Sequence, residues 1–389
     1  MTVQRADNLS LSYYKQTNFG EAPSSPAMQV LRIVNESLKS NKKTVTSKVL
    51  GTRQVKEIYK IGENMGGGIK GELAFAEWNW ALEGVLGGAF SAVTVTATDI
   101  SFVASDSSIN SAGAGFGSLI AGQWLLISGT SAHDGLWRVA SKSSASKLIL
   151  ADGVSSAGAT LTVADESAGA SMTVKGKVLR QGTTLNSYTL ERINSDAGTF
   201  DVWNGFTFDE VKLSIKESDL VAIECSGMGK VGDFNNTATI AGSTTAQSAN
   251  DAYNGTNNVM RLKEGSTVLS DELVSLDLSI KSNLRERLAL GNTTPTGMAQ
   301  GDVEVTGTLE FYHEDNTRRQ LFQDHTDTTF FVILKDASSQ YFIITMRKFY
   351  YQDLNNNAEA KNSDVLEKYS IQASEDGTYS QTIQIDSLS

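Results

Sequence analysis

The chain has little of what disulfide frameworks, metal centres and membrane spans are made from. One cysteine, Cys225, in 389 residues excludes an internal disulfide framework and any cysteine-based zinc cluster, so packing and strand pairing alone must hold the fold. With Ile223 and Met228 as neighbours, Cys225 reads as an inert core residue. No stretch is long and apolar enough to cross a bilayer. The polar Met1–Ser25 has no apolar segment after Arg5, so a soluble protein made in the cytoplasm is expected. Basic clusters are also scarce: the net charge of −11 argues against a nucleic-acid reader, which needs Lys and Arg to displace counterions from phosphates.

Signatures of catalysis are missing as well. There is no Gly-Xaa-Ser-Xaa-Gly elbow, and Met65-Gly66-Gly67-Gly68 lacks the Lys-Ser/Thr of a phosphate-cradling loop, so it reads as a flexible or tightly turned entry to a strand. His133, His313 and His325 are isolated; despite Glu314, Asp315, Asp324 and Asp327 nearby, they lack metal-ligand spacing and read as surface loop residues. No catalytic residue, metal or cofactor is expected.

What is present is 34 glycines against 3 prolines, with recurring Ser, Thr, Asn and Val, a mixture that favours strands joined by turns. A 40% apolar content over this length fills real cores. The fold class expected is mainly β.

The chain also resembles itself. Ser37-Leu38-Lys39-Ser40-Asn41 is echoed by Ser279-Ile280-Lys281-Ser282-Asn283, an offset of 242. Ile69, Gly71, Leu73, Phe75, Val85 and Leu86 face Val305, Gly307, Leu309, Phe311, Leu321 and Phe322 at an offset of 236. Phe206-Thr207-Phe208 matches Phe349-Tyr350-Tyr351 at 143, and Ser218–Val221 matches Ser363–Leu366 at 145. The blocks are collinear and imply two units, each a long hairpin, a helix and more strands. The offsets imply a loop six residues longer in the first copy before Gly71, and about 93 residues inserted after Leu86.

The insert has its own strand candidates at Trp124–Ile127, Leu136–Val139, Leu148–Leu150 and Met172–Val174, with turn signals at Ser128-Gly129, Asp134-Gly135 and Asp152-Gly153. Its ends return to one point of the host, so it is expected to project as a decoration. The division expected is an N-terminal arm (1–26), a first unit (27–90 and 181–235), an inserted β domain (91–180), a linker (236–255) and a second unit (256–389). The arm, with Tyr13, Tyr14 and Phe19 as scattered anchors, is either disordered alone or folded onto a neighbouring subunit.

Glu36-Ser37-Leu38 through Gly71-Glu72-Leu73, Trp80 and Leu86-Gly87-Gly88, with Gly301–Leu309, Phe322, Tyr341 and the terminal strands, resemble the major tail tube proteins of long-tailed (siphovirus-like) bacteriophages. The resemblance implies a β-sandwich or barrel subunit with a flanking helix. Its rings would stack into a hollow tail tube in the virion, conducting DNA without specific binding. It also implies a tape measure protein, a tail terminator and baseplate proteins as partners. Family members with one unit per chain form six-membered rings, so two units suggest a three-chain ring with pseudo-six-fold symmetry. Two alternatives stand beside this reading: a tube protein of a contractile tail or related injection machine, and a surface β-sandwich adhesin.

The candidate inter-ring contacts are basic: Lys39, Lys42, Lys43, Lys48, Arg53, Lys56 and Lys60 in the first copy's long loop, reduced to Lys281, Arg285 and Arg287 in the second. Such a loop would meet an acidic rim on the next ring; otherwise it is a solvated hairpin with edge lysines that block misassociation.

Overall fold

Period-two alternation of apolar and polar residues dominates the chain, and the computed structural model turns it into strands; it describes residues 3–49, 53–113, 115–269, 272–357, 361 and 364–389. In chain order the first half supplies β1 (Leu9–Lys15), β2 (Lys39–Thr46), β3 (Ile58–Glu72) and α1 (Asn79–Leu86). The segment 91–180 supplies β4 (Ser91–Ala97), β5 (Trp124–Ser128) and β6 (Met172–Arg180), and the first half resumes with β7 (Tyr188–Asn194), β8 (Thr199–Lys216), β9 (Ala222–Gly229) and β10 (Val231–Asn236). The second half begins with β11 (Val259–Glu264), β12 (Leu273–Lys281), β13 (Arg285–Arg287), β14 (Gly297–Ala299), β15 (Glu304–Tyr312) and α2 (Thr317–Gln323). It ends with β16 (Thr328–Lys335), β17 (Tyr341–Asn357), β18 (Leu366–Ala373) and β19 (Gln384–Leu388).

The two halves pair their strands in the same antiparallel order. In the first, β1 joins β7, β7 joins β8, β8 joins β9 and β10, β9 joins β3, and β3 joins β2. In the second, β11 joins β16, β16 joins β17, β17 joins β18 and β19, β18 joins β15, and β15 joins β12. Two of the irregularities match as well. A bulge between Tyr188 and Leu190 has its counterpart between Thr328 and Phe330, and one between Phe208 and Glu210 recurs between Tyr351 and Asp353.

These ladders correct the sequence offsets. Glu210 faces Ser226, which faces Gly68; the counterparts are Asp353, Ser370 and Thr308, so Gly68 and Thr308 are equivalent at an offset of 240. Ile69 faces Glu36 and Leu309 faces Leu276, again 240, so the two hairpins span equal lengths and the six-residue extension is not there. The sequence echoes at 242 and 236 are slips of two and four residues. An even slip keeps every side chain on its own face, so hydrophobic pattern cannot detect it. With Tyr188 equivalent to Thr328 the offset then drops to 140, so the first half carries 100 extra residues rather than 93.

Three further expectations change. The segment 1–26, of which Met1 and Thr2 lie outside the described residues, is no arm: β1 is a sandwich strand on β7, Leu11 is buried, and Tyr13 stacks on Trp80 at 4.1 Å. Its alternation Leu9, Leu11, Tyr13 is the strand signal. The linker is laced down, with the Glu191 carboxylate accepting from Thr239 and Ile240, and Tyr253 buried. The glycine run lies within β3, not at its entry. Gly67 has φ +143°, and a Cβ there would sit 2.4 Å from the Ser37 carbonyl oxygen.

The main core lies beneath α1, whose Trp80, Ala81, Leu82, Val85 and Leu86 are buried and whose end is closed by left-handed Gly87. Trp80 meets Tyr188 and Phe208 edge-on at 5.1 and 4.8 Å. Such pairs add about 0.5–1.5 kcal/mol each beyond their buried area.

Candidate functional site

The two halves are joined by strand pairing as well as by chain. On β8, the side held by β7 at one end is taken over further along by β12, with Val211 facing Ile280 and Leu213 facing Leu278. Across this junction runs one antiparallel sheet of eight strands, in the order β2, β3, β9, β8, β12, β15, β18, β17.

Alternation gives this sheet two unlike faces. Ile69, Cys225, Val211, Ile280, Val305, Leu309 and Tyr369 point into the core, where burial pushes the Cys225 thiol pKa up. The opposite face is polar and lines an open hollow of about 710 Å³. Lys70, Lys212 and Lys216 there are balanced by Asp219, Glu224 and Asp277, and Lys212 pairs with Glu210 at 3.2 Å. A face of mixed, locally compensated charge offers a polyanion no cluster of cations.

The basic residues singled out in the sequence divide between this sheet and two hairpins beside it. Lys39 and Lys281 are strand residues of the sheet itself. Lys42 and Lys43 lie further along β2; Lys48, Arg53 and Lys56 are exposed beyond the ladder, and Lys60 pairs with Glu63. Arg285 and Arg287 sit on the short β13–β14 hairpin. The structure brings the two hairpins together: Lys43 Nζ reaches Glu286 at 2.9 Å, Asn64 donates to the same carboxylate, and Glu63 N–H donates to the Thr293 carbonyl at 2.7 Å.

Charge is not the whole character of these hairpins. Val45, Val55, Ile58, Tyr59 and Ile61 are exposed on the long one, and Leu288 and Leu290 beside the short one. Exposed apolar residues on both hairpins make them candidates for contact with another molecule. Basic residues alone drew attention in the sequence; Ile58, Tyr59 and Ile61, too apolar for a solvated tip, were the available signal.

The 91–180 segment has its own core around Phe102, Trp137, Leu148 and Val174. It does not stand clear as a decoration. β6 pairs with β4 on one side and with β5 and then β19 on the other, and Trp124, Leu136 and Val154 form one core with Phe331, Ile333, Tyr341 and Ile343. Asp152-Gly153 is a bulge inside the strand Lys147–Val154 rather than a turn; it aims the Asp152 carboxylate at Arg138 and at Lys263 of β11. At the centre of the seam Asp386 accepts from Trp124 N–H at 3.0 Å and from Gln384 Nε2 at 2.7 Å, and burial pushes its carboxyl up to about 7.

The three histidines have partners within the fold. His133 is fully buried, not on a surface loop: its ring stacks on Phe102, Nε2 accepts from Ala164 N–H at 3.0 Å, and Nδ1 lies 2.7 Å from Glu166. His313 meets Glu367 at 2.9 Å, and His325 stacks on Tyr350. Among the described residues no group of His, Cys, Asp or Glu is arranged to hold a metal ion.

A family model described as phage tail tube protein matches residues 6–384. No curated protein matches the chain.

Proposed function

The chain belongs to the phage tail tube protein family, and from that premise we propose that it polymerises as stacked rings of three chains, each contributing two tube units, into the hollow tail tube that conducts DNA during ejection. One observation carries the reading: the same strand order with the same two bulges occurs twice, and the halves are fused edge to edge in an eight-stranded sheet that, among the described residues, ends in open edges at β2 and at the 350–357 end of β17. A sheet with two open edges is relieved of both by closing on copies of itself. Three copies of eight strands make 24; spaced about 4.8 Å apart and tilted about 40°, they close on a circle about 48 Å across. That leaves room for a DNA duplex inside the side chains, with the polar, charge-balanced face as the wall.

The paired hairpins, carrying Lys42, Lys43, Lys48, Arg53, Lys56 and Lys60 on one and Arg285 and Arg287 on the other, are the proposed ring-to-ring contact, whereas Lys39 and Lys281 belong to the shared sheet. The exposed apolar residues there supply the buried area and the lysines the steering. The 91–180 segment extends the sheet layer of β17 and β19 away from the shared sheet. This favours the non-contractile tail of a siphovirus over a tube enclosed by a sheath. A tape measure protein inside and terminator and baseplate proteins at the ends complete the reading.

Negative-stain microscopy of the purified protein tests it: hollow tubes are expected, and particles that stay single at high concentration and low salt would refute it. Charge reversal at Lys42 and Lys43 should shorten or abolish the tubes, and tubes of normal length would remove those residues from the contact.

A further inference from the structure

We propose that the ring closes through one defined strand ladder, in which Asp353–Asn357 of β17 pairs antiparallel with residues 37–41 of a second copy, Asn355 facing Lys39. The inference rests on the ring reading above and adds the edge, the partner segment and the register.

The chain contains the template. In the first half, β8 between Glu210 and Lys216 has β9 on one side and β12 on the other. In the second half, the matching stretch of β17 has β18 on one side and no strand, among the described residues, on the other. At the far end of the sheet β2 pairs, among the described residues, with β3 alone. The vacant place beside β17 therefore has the shape of β12, and the segment equivalent to β12 is the one ending at β2.

Equivalence also sets the register. Lys212 faces Ser279 and Val211 faces Ile280 within the chain. Moving the β8 positions forward by 143 and the β12 positions back by 240 places Asn355 opposite Lys39 and Leu354 opposite Ser40. Faces are preserved: Leu354 packs against the main core, as Val211 does, while Asp353 and Asn355 are exposed like Lys39 and Asn41. Asp353 would then lie diagonally from Lys39, repeating in charge the Glu210 and Lys281 pair of the internal ladder.

The edge is also guarded as an unpaired strand would be. Ser37 N–H donates to Gly68 of β3, so the next N–H, that of Leu38, points away from the sheet; it is met at 2.8 Å by the chain's own Glu36 carboxylate. A side chain there substitutes for the strand that assembly would bring.

Lys39→Cys/Asn355→Cys tests the register. Directly opposed residues have Cβ atoms about 4.5–5.5 Å apart, close to disulfide geometry, and the single native thiol is buried. Oxidised tubes should yield covalently linked chains on a denaturing gel, with at least a tenfold excess over Lys39→Cys/Gln352→Cys. Wild-type protein gives a second readout free of any folding defect: amide exchange at residues 37–41 and 353–357 should slow at least tenfold on passing from monomer to tube. Intact tubes with neither cross-linking nor slowed exchange overturn the edge pairing and leave the tube reading standing. Failure of the wild-type protein to form tubes overturns both.

Discussion

Trp124→Ala probes the seam between the 91–180 segment and the second half. Trp124 is fully buried, donates Nε1–H to Thr345 Oγ1 at 3.1 Å, and meets the Phe331 ring edge-on at 4.9 Å. Emptying such a site costs about 3–5 kcal/mol. The buried Thr345 hydroxyl then lacks its donor, an effect on the order of 1–3 kcal/mol that overlaps the first. The expected loss is therefore about 4 kcal/mol, a large part of the 5–15 kcal/mol typical of a domain. Phe331→Ala should be less than additive with it, with a coupling of about 0.5–1.5 kcal/mol. Urea unfolding of the monomer, followed separately by tryptophan fluorescence and far-UV circular dichroism, gives both numbers. A loss under 1 kcal/mol, or no coupling, would mean that the seam is a loose contact and that the segment is a decoration after all.

Other consequences are as direct. Asp386 has its carboxyl pushed up to about 7 from 3.8 by burial, so the native state holds the proton more tightly than the unfolded chain. Stability from this group is fully present below about pH 4 and is lost as pH rises through about 7, by up to about 4 kcal/mol. Asp386→Asn should flatten the fall in Tm between pH 4.5 and 7.5, and an unchanged slope would clear Asp386 of it. Gly67→Ala forces a Cβ to within 2.4 Å of a backbone oxygen at a positive φ and should cost about 3 kcal/mol, whereas Gly377→Ala, with nothing within 4 Å, should change stability by less than about 0.5 kcal/mol. Equal effects in chemical denaturation would contradict the register of β3. Cys225 should resist thiol reagents until the protein unfolds; rapid labelling of the native protein would contradict its burial.

The sequence disclosed what pattern can carry. Alternation yielded a mainly β chain, and the spacing after Leu73 and Leu309 placed a helix in each half where α1 and α2 lie. Register was hidden, because slips of two or four residues leave every face unchanged, and only the paired bulges resolve them. β1 went unrecognised because a short terminal strand between polar segments reads as an arm until its partner, about 180 residues away, is known. The Asp386 seam joins groups more than 200 residues apart, and no local motif announces it. Of the candidate contact surface, the charge was legible, while its apolar part and the open edge of β17 needed the strand order.

The most direct test of the whole account is a cross-section of the assembled tube by cryo-electron microscopy. Three chains per ring, closing a 24-stranded wall about 48 Å across, is the expected result. Six full chains per ring, with a wall of twice the strands and about 96 Å across, would contradict it.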